Sequence, residues 1–189
     1  MTTILRPIHP QHIMNIVAGL KTNEVRTKVP NCKTPYKVLV YCTSIKNMPL
    51  QLYAELHHKS RGSLDFWSGK IMGEYICDKV DCHGWDYKNH GKYSCSDEEL
   101  QTTCLTREEL NEYGEYGKPL FFEHITDFKV YSEPRSIGEF CSPCPTADCK
   151  DCKFYKTTDS SFELGAGCEC TQPTLKRPPQ SFCYVEEAY

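Results

Sequence analysis

The sequence predicts an α+β fold: a small, mostly antiparallel β-barrel with two or three helices and a cysteine-rich, zinc-binding insertion. Three observations predict it. Five or six segments carry the alternating or continuously apolar pattern of strands. Two or three segments carry helical spacing, and the order β-α-β-β-β-α-β-β mixes the two kinds in the way of an α+β domain. Six of the thirteen cysteines crowd into one stretch, from Cys141 to Cys170.

Taken in order, Ile4 to Ile8 reads as a short strand, and Pro7 suggests that it lies at an edge. Pro10 opens a helix, with His9 ahead of it. Ile13, Met14, Ile16, Val17 and Leu20 give that helix one apolar face, and Gly19 marks its end. Glu24 to Val29 alternates as a strand that stops at Pro30. Tyr36 to Ser44 is a central strand, buried on both sides. Residues 46 to 69 read as an irregular insertion with a short helix around Leu50–His57. Lys70 to Val80 is a long strand, and Gly73 within it suggests a bulge. Residues 81 to 104 are polar, aromatic and irregular. Thr106, with Glu109 three residues on, is a capping box that starts a second helix. Leu120 to Tyr131 is a further strand, Ser136 to Phe140 a turn or short helix, and Arg177 to Val185 the last strand. No internal repeat is present.

Composition excludes several classes. The 189 residues suggest one domain with at most a small second module. Of these, 39% are hydrophobic and 12% aromatic, enough for an ordinary core. No apolar run approaches the ~18 residues needed to span a bilayer. The N-terminus lacks the layout of a signal peptide, so a cytoplasmic address is expected. The net charge of −3 argues against wholesale wrapping of a nucleic-acid backbone, which needs a basic face. Recognition of one nucleotide or a single-stranded loop in a local pocket remains open.

The thirteen cysteines are an odd number in a chain expected to sit in a reducing compartment, so a complete disulfide framework is not expected. Cys42 and Cys77 lie in apolar strands, where a thiol acts as a small hydrophobe. Cys141-x2-Cys144-x4-Cys149-x2-Cys152, followed by Cys168-x-Cys170, has the look of a structural zinc site. Each Cys-x2-Cys turn can aim two thiolates at one ion, and four thiolates complete a tetrahedron. The separation of the two pairs is shorter than in zinc ribbons. A tight set from Cys141, Cys144, Cys149 and Cys152 competes with two ligands of the knuckle joined by Cys168 and Cys170, and the favoured set is Cys144, Cys149 and Cys152 with Cys168 or Cys170, since a wider loop strains less. Free loop thiols and an iron–sulfur cluster are the alternatives. Few large apolar residues occupy the segment, so a metal would supply its folding energy. A scattered second set, Cys77, Cys82, His83, Cys95 and Cys104, reads more simply as core and loop residues.

Gly19-Leu20-Lys21-Thr22-Asn23-Glu24-Val25-Arg26 is the stretch most informative about function. Glu24 and Arg26 are two apart on a strand and share a face. Lys21, at the helix-to-strand turn, can reach the same side. An arginine fork, a lysine point charge and a carboxylate acceptor suit a phosphate or a base edge. The plain alternative is a surface ion pair of little consequence.

This element, through Ile16, Gly19, Lys21, Glu24 and Arg26, resembles the ASCH domain of the PUA-like superfamily. The Gly73-Glu74-Tyr75 strand and the terminal Arg177-Pro178-Pro179-Gln180-Ser181-Phe182 are also similar to it. The whole chain looks most like uncharacterised proteins of phages and prophages of clostridia-like bacteria that carry a cysteine-rich insertion. The resemblance implies an ASCH domain over residues 1–140 plus 175–189, with 141–174 as the zinc module. It implies a PUA-like barrel whose cleft binds RNA or a nucleotide, lined by Lys21, Glu24 and Arg26, with Thr43, Ser44, Gln180 and Ser181 facing it.

Two further classes stay open. Some members of the superfamily resemble amidohydrolases that act on a modified nucleoside through a Lys-Thr-x-Thr-x-Arg motif. Here Lys21, Thr22 and Arg26 match, but Glu24 replaces the second threonine, so a catalytic set would have to be Lys21, Thr22 and Glu74. The other class is a non-enzymatic phage protein that binds a host protein. Binding of RNA predicts a basic rim around Lys21 and Arg26, catalysis a threonine beside Lys21, and a protein partner an apolar patch on one of the insertions.

Overall fold

The computed structural model describes residues 1–46, 48–87, 91–143 and 174–187. Its main feature is a six-stranded sheet in the order β2-β7-β4-β3-β1-β9. The strands are β1 (Thr3–Ile8), β2 (Asn23–Arg26), β3 (Tyr36–Cys42), β4 (Ile71–His83), β7 (Leu120–Arg135) and β9 (Cys183–Tyr184). Only β1 and β3 run parallel; every other neighbouring pair is antiparallel. Two small ribbons flank it: β5 (Trp85–Asp86) with β6 (Lys92–Tyr93), and β8 (Phe140–Cys141) with β10 (Glu186–Glu187).

The α+β class holds, with two corrections. The sheet curls into a half-barrel and does not close, because its edge strands β2 and β9 are not paired to each other. Five α-helices are described, not two or three: α1 (Pro10–Val17), α2 (Leu50–Lys59), α3 (Ser63–Trp67), α4 (Asp97–Gln101) and α5 (Arg107–Tyr113). The physical reason lies in burial. The helix expected around Leu50–His57 is α2; the two not expected, α3 and α4, have five residues each, and α4 buries nothing, so neither has an apolar stripe for a sequence to display.

β1 is not the edge strand that Pro7 suggested, because β9 pairs along its outer side, but Pro7 itself lies past the end of that pairing. Its parallel neighbour is Tyr41, while β9 covers only Ile4 and Leu5 and ends before reaching it. The missing N–H therefore interrupts nothing on that side. In β4 and β7, register shifts near Gly73 and further along bend the long antiparallel pair, which gives the sheet its curl.

Apolar residues cover both faces of the sheet. Ile4, Ile8, Val38, Val40, Tyr75 and Cys77 pack with Ile13 and Ile16 of α1 on one face. Leu5, Leu39, Tyr41 and Ile71 pack with Phe140 and Val185 on the other. A third cluster, of Val25, Tyr93, Leu110, Leu120 and Phe122 among others, seats α5 against β2 and β7. That seating makes α5 a wall opposite α1. No helix among the described residues is long and apolar enough to cross a membrane.

Candidate functional site

The local chain path explains how Lys21 reaches the strand that follows it. α1 starts at Pro10, with His9 as its N-cap. At its end Gly19 takes a left-handed conformation, φ +71°. The Leu20 and Lys21 amides then both donate to the Asn15 carbonyl, at 2.9 and 3.0 Å. This folds the chain back under the helix and delivers Lys21 to the start of β2.

Lys21 and Glu24 are buried and Arg26 is half-buried. Arg26 Nη2 lies 2.7 Å from Glu24 Oε1, and Lys21 Nζ lies 3.4 Å from Glu24 Oε2. Lys21 also donates to the Thr103 carbonyl at 2.8 Å, and Arg26 to the Pro7 carbonyl at 2.9 Å. Burial works to raise the Glu24 carboxyl, but Arg26 and then Lys21 outweigh it and hold it at about 2. Burial works to lower the Arg26 guanidinium, yet Glu24 and the hydrogen-bonded Tyr113 raise it above its ordinary value. The carboxylate is thus ionised between two cations, an arrangement unlike a solvated surface pair.

These three residues line a cavity of about 600 Å³. α1 and its cap contribute His9, Gln11 and His12; Cys104, Leu105 and α5's Glu109, Glu112 and Tyr113 stand opposite. Glu24 Oε2, Arg26 Nε and His12 Nδ1 are buried and have no hydrogen-bond partner among the described residues. Hydrogen-bonding capacity is therefore left over beside the cavity. Desolvation, with Lys21 nearby, lowers the pKa of His12, and desolvation lowers that of His9, which favours the neutral form of both rings.

The other residues singled out in the sequence lie elsewhere. Glu74 bonds to Lys37 Nζ at 3.1 Å and accepts from Tyr131 at 2.7 Å, in a separate cavity of about 260 Å³. The structure does not bring it to Lys21. Thr22 pairs through its backbone with Thr102 and Ile125, and Thr43 donates to the Ile8 carbonyl. Neither threonine lines the Lys21 cavity, nor do Ser44, Gln180 and Ser181. Of the six clustered cysteines only Cys141 is described, half-buried on β8 and bridged to Thr174. Cys144, Cys149, Cys152, Cys168 and Cys170 lie outside the described residues. Among the described residues no group of three metal-ligating side chains gathers, and Cys77, Cys82, His83, Cys95 and Cys104 stay apart.

The features meant to separate the function classes also have answers. Among the residues that line the cavity the exposed charges are Glu109 and Glu112, so its rim is acidic and the basic rim expected for RNA binding is not found. On the 46–69 insertion Leu50 and Phe66 are exposed singly, and the Lys70 amine covers the Phe66 ring at 5.0 Å. Single exposed apolar residues need no partner.

Sequence reasoning missed an inner pair. Arg6 and Glu123, both 0% exposed, form an ion pair to which the Tyr36 hydroxyl donates at 2.7 Å. Glu123 faces Glu24 directly across the β2–β7 ladder. Two buried carboxylates opposite one another would repel, and each has its own cation. The signal for Arg6 was its phase: it shares the inward face with Ile4 and Ile8. His12, Tyr113, Glu109 and Glu112 come from distant segments and left no local signal.

No family model and no curated protein matches the chain. Among solved structures, ASCH from Zymomonas mobilis superposes with a TM-score of 0.52, at 13% identity, over 98% of this chain and 88% of that one. A serine-to-alanine variant of the Zymomonas mobilis protein gives 0.53 at 12% identity, covering 98% and 89%. A tyrosine-to-phenylalanine variant gives 0.52 at 13%, covering 98% and 91%. At such identities the likeness concerns architecture alone, and the architecture of this chain is that of the ASCH fold.

Proposed function

We propose that this chain binds RNA or a nucleotide by taking a base into the cavity between α1, β2 and α5. The observation that carries the reading is the position of the Lys21–Glu24–Arg26 triad. Burying three charges is costly, and well-packed apolar side chains would stabilise the fold as well or better. Their place at a cavity of about 600 Å³ supports a ligand as the reason for them. The fork of Arg26 and the carboxylate of Glu24 suit the mixed donors and acceptors of a base edge. Tyr113 and the His9 and His12 rings offer flat surfaces of the kind on which unstacked bases rest. A phage or prophage origin is read from the cysteine-rich insertion ahead of Pro178-Pro179-Gln180-Ser181. The paired Cys-x2-Cys turns support structural zinc in that insertion.

The test is a binding screen of nucleotides and short single-stranded RNAs by calorimetry and fluorescence anisotropy, on wild type, Arg26→Ala and Lys21→Ala. Loss of one charged hydrogen bond, about 1.5–3 kcal/mol, weakens binding roughly tenfold or more. Thermal melts run alongside establish that each variant is folded. Arg26 is the more open of the two cations, so its variant carries the test if Lys21→Ala unfolds. Unchanged affinity in folded variants, or a wild type that binds nothing in the screen, would overturn the assignment.

A further inference from the structure

The triad alone would suit a phosphate, yet the cavity as a whole does not. Its lining holds two cations, Lys21 and Arg26, against three carboxylates, Glu24, Glu109 and Glu112. Desolvation favours the neutral form of both histidine rings, so they do little to offset the carboxylates. Glu24 already engages both cations. The carboxylates left over are on α5, exposed, and at the mouth. Hydrogen bonds from the Thr106 amide and hydroxyl lower the Glu109 carboxyl, so Glu109 is ionised at neutral pH.

We propose that Glu109 and Glu112 make α5 a charge filter, so that the cavity selects an uncharged nucleoside unit and rejects ligands that carry phosphate into its mouth. The inference rests on the base-binding reading above and narrows it. A base and sugar can reach the buried Glu24–Arg26 edge without meeting net repulsion. A 5′-phosphate brings up to two negative charges to a mouth that already holds two. Discrimination here comes from a repulsive element instead of an added contact. An RNA strand would therefore offer a single base to the cavity and keep its phosphates outside.

The experiment is calorimetric titration of the full chain with adenosine, guanosine, cytidine and uridine, and with the 5′-monophosphate of each. The readout is the affinity ratio of nucleoside to its own monophosphate, in which a general loss of fit cancels. In about 20 mM salt, where screening is weak, the best nucleoside binds about tenfold tighter than its monophosphate. In about 1 M salt the gap falls to about twofold. Glu112→Lys lowers the low-salt ratio at least fivefold, and the gentler Glu112→Gln lowers it by less. A monophosphate that binds as tightly as its nucleoside, or a ratio unmoved by both variants and by salt, overturns the filter and leaves the base-binding cavity standing. Binding of no nucleoside and no monophosphate overturns the cavity reading, and the filter with it.

Discussion

Glu24 decides how the site behaves with pH. Its carboxyl is held at about 2, against an ordinary 4.5, because Arg26 and Lys21 outweigh the cost of burial. An acid whose folded pKa is depressed adds stability above its unfolded pKa, and that stability is lost as pH falls toward the folded one. The window here runs from about 4.5 down to about 2. A shift of this size corresponds to roughly 3 kcal/mol. Glu24→Gln is therefore expected to lower stability by about that much at neutral pH. The difference between it and wild type should shrink through the acid window. Urea denaturation at a series of pH values measures both. A constant difference across the window would mean that the Glu24 charge is not what the triad stabilises. The triad was legible because its members sit within one turn and one strand, where spacing alone puts Glu24 and Arg26 on a common face. The Arg6–Glu123 pair was not, because nothing local links residues 117 positions apart.

At the scale of elements, α5 shows how much a local rule can specify. Thr106 and Glu109 form the reciprocal capping box that the sequence predicted, with Thr106 N to Glu109 Oε2 at 2.7 Å and Glu109 N to Thr106 Oγ at 3.2 Å. Thr106→Ala should cost about 1 kcal/mol in chemical denaturation. It should also loosen one wall of the cavity, since the cap is what fixes Glu109. The long β4–β7 pair shows the opposite case. Gly73 was legible as an irregularity, but its reason is not local: a Cβ there would run into the Lys129 backbone carbonyl on β7. Gly73→Ala is expected to destabilise by about 2 kcal/mol or more, since backbone on both sides cannot step aside as a side chain can. A neutral Gly73→Ala would show that the two strands have freedom to separate there. The helix expected around Leu50–His57 is α2, but α3 and α4, of five residues each, stayed illegible because so short a run shows no helical periodicity.

At the scale of the whole molecule, the ends of the cysteine-rich stretch meet. Cys141 on β8 bridges to Thr174, and the Leu175 amide donates to the Phe140 carbonyl at 2.8 Å. β8 also pairs with β10, so both ends of the stretch are tied to the C-terminal ribbon. Closing a segment between joined ends costs loop-closure entropy that grows only slowly with its length, about 0.6 kcal/mol per doubling. Its own order must come from within. Between Cys141 and Thr174 the sequence offers Phe154, Tyr155, Phe162 and Leu164 as its large apolar residues, too few for a core, and five further thiols. Metal ligation is the interaction strong enough to order such a segment. Elemental analysis of purified protein is therefore expected to give about one zinc per chain. Cys149→Ser and Cys152→Ser should each reduce that content and open the segment to proteolysis. Because the ends are tied independently, the melting of the sheet should move less than the protease sensitivity does. Iron with visible absorbance, or no metal with all thiols titrating freely, would overturn the zinc reading. A sheet that unfolds together with metal loss would show that the segment braces the half-barrel and is more than an appendage to it.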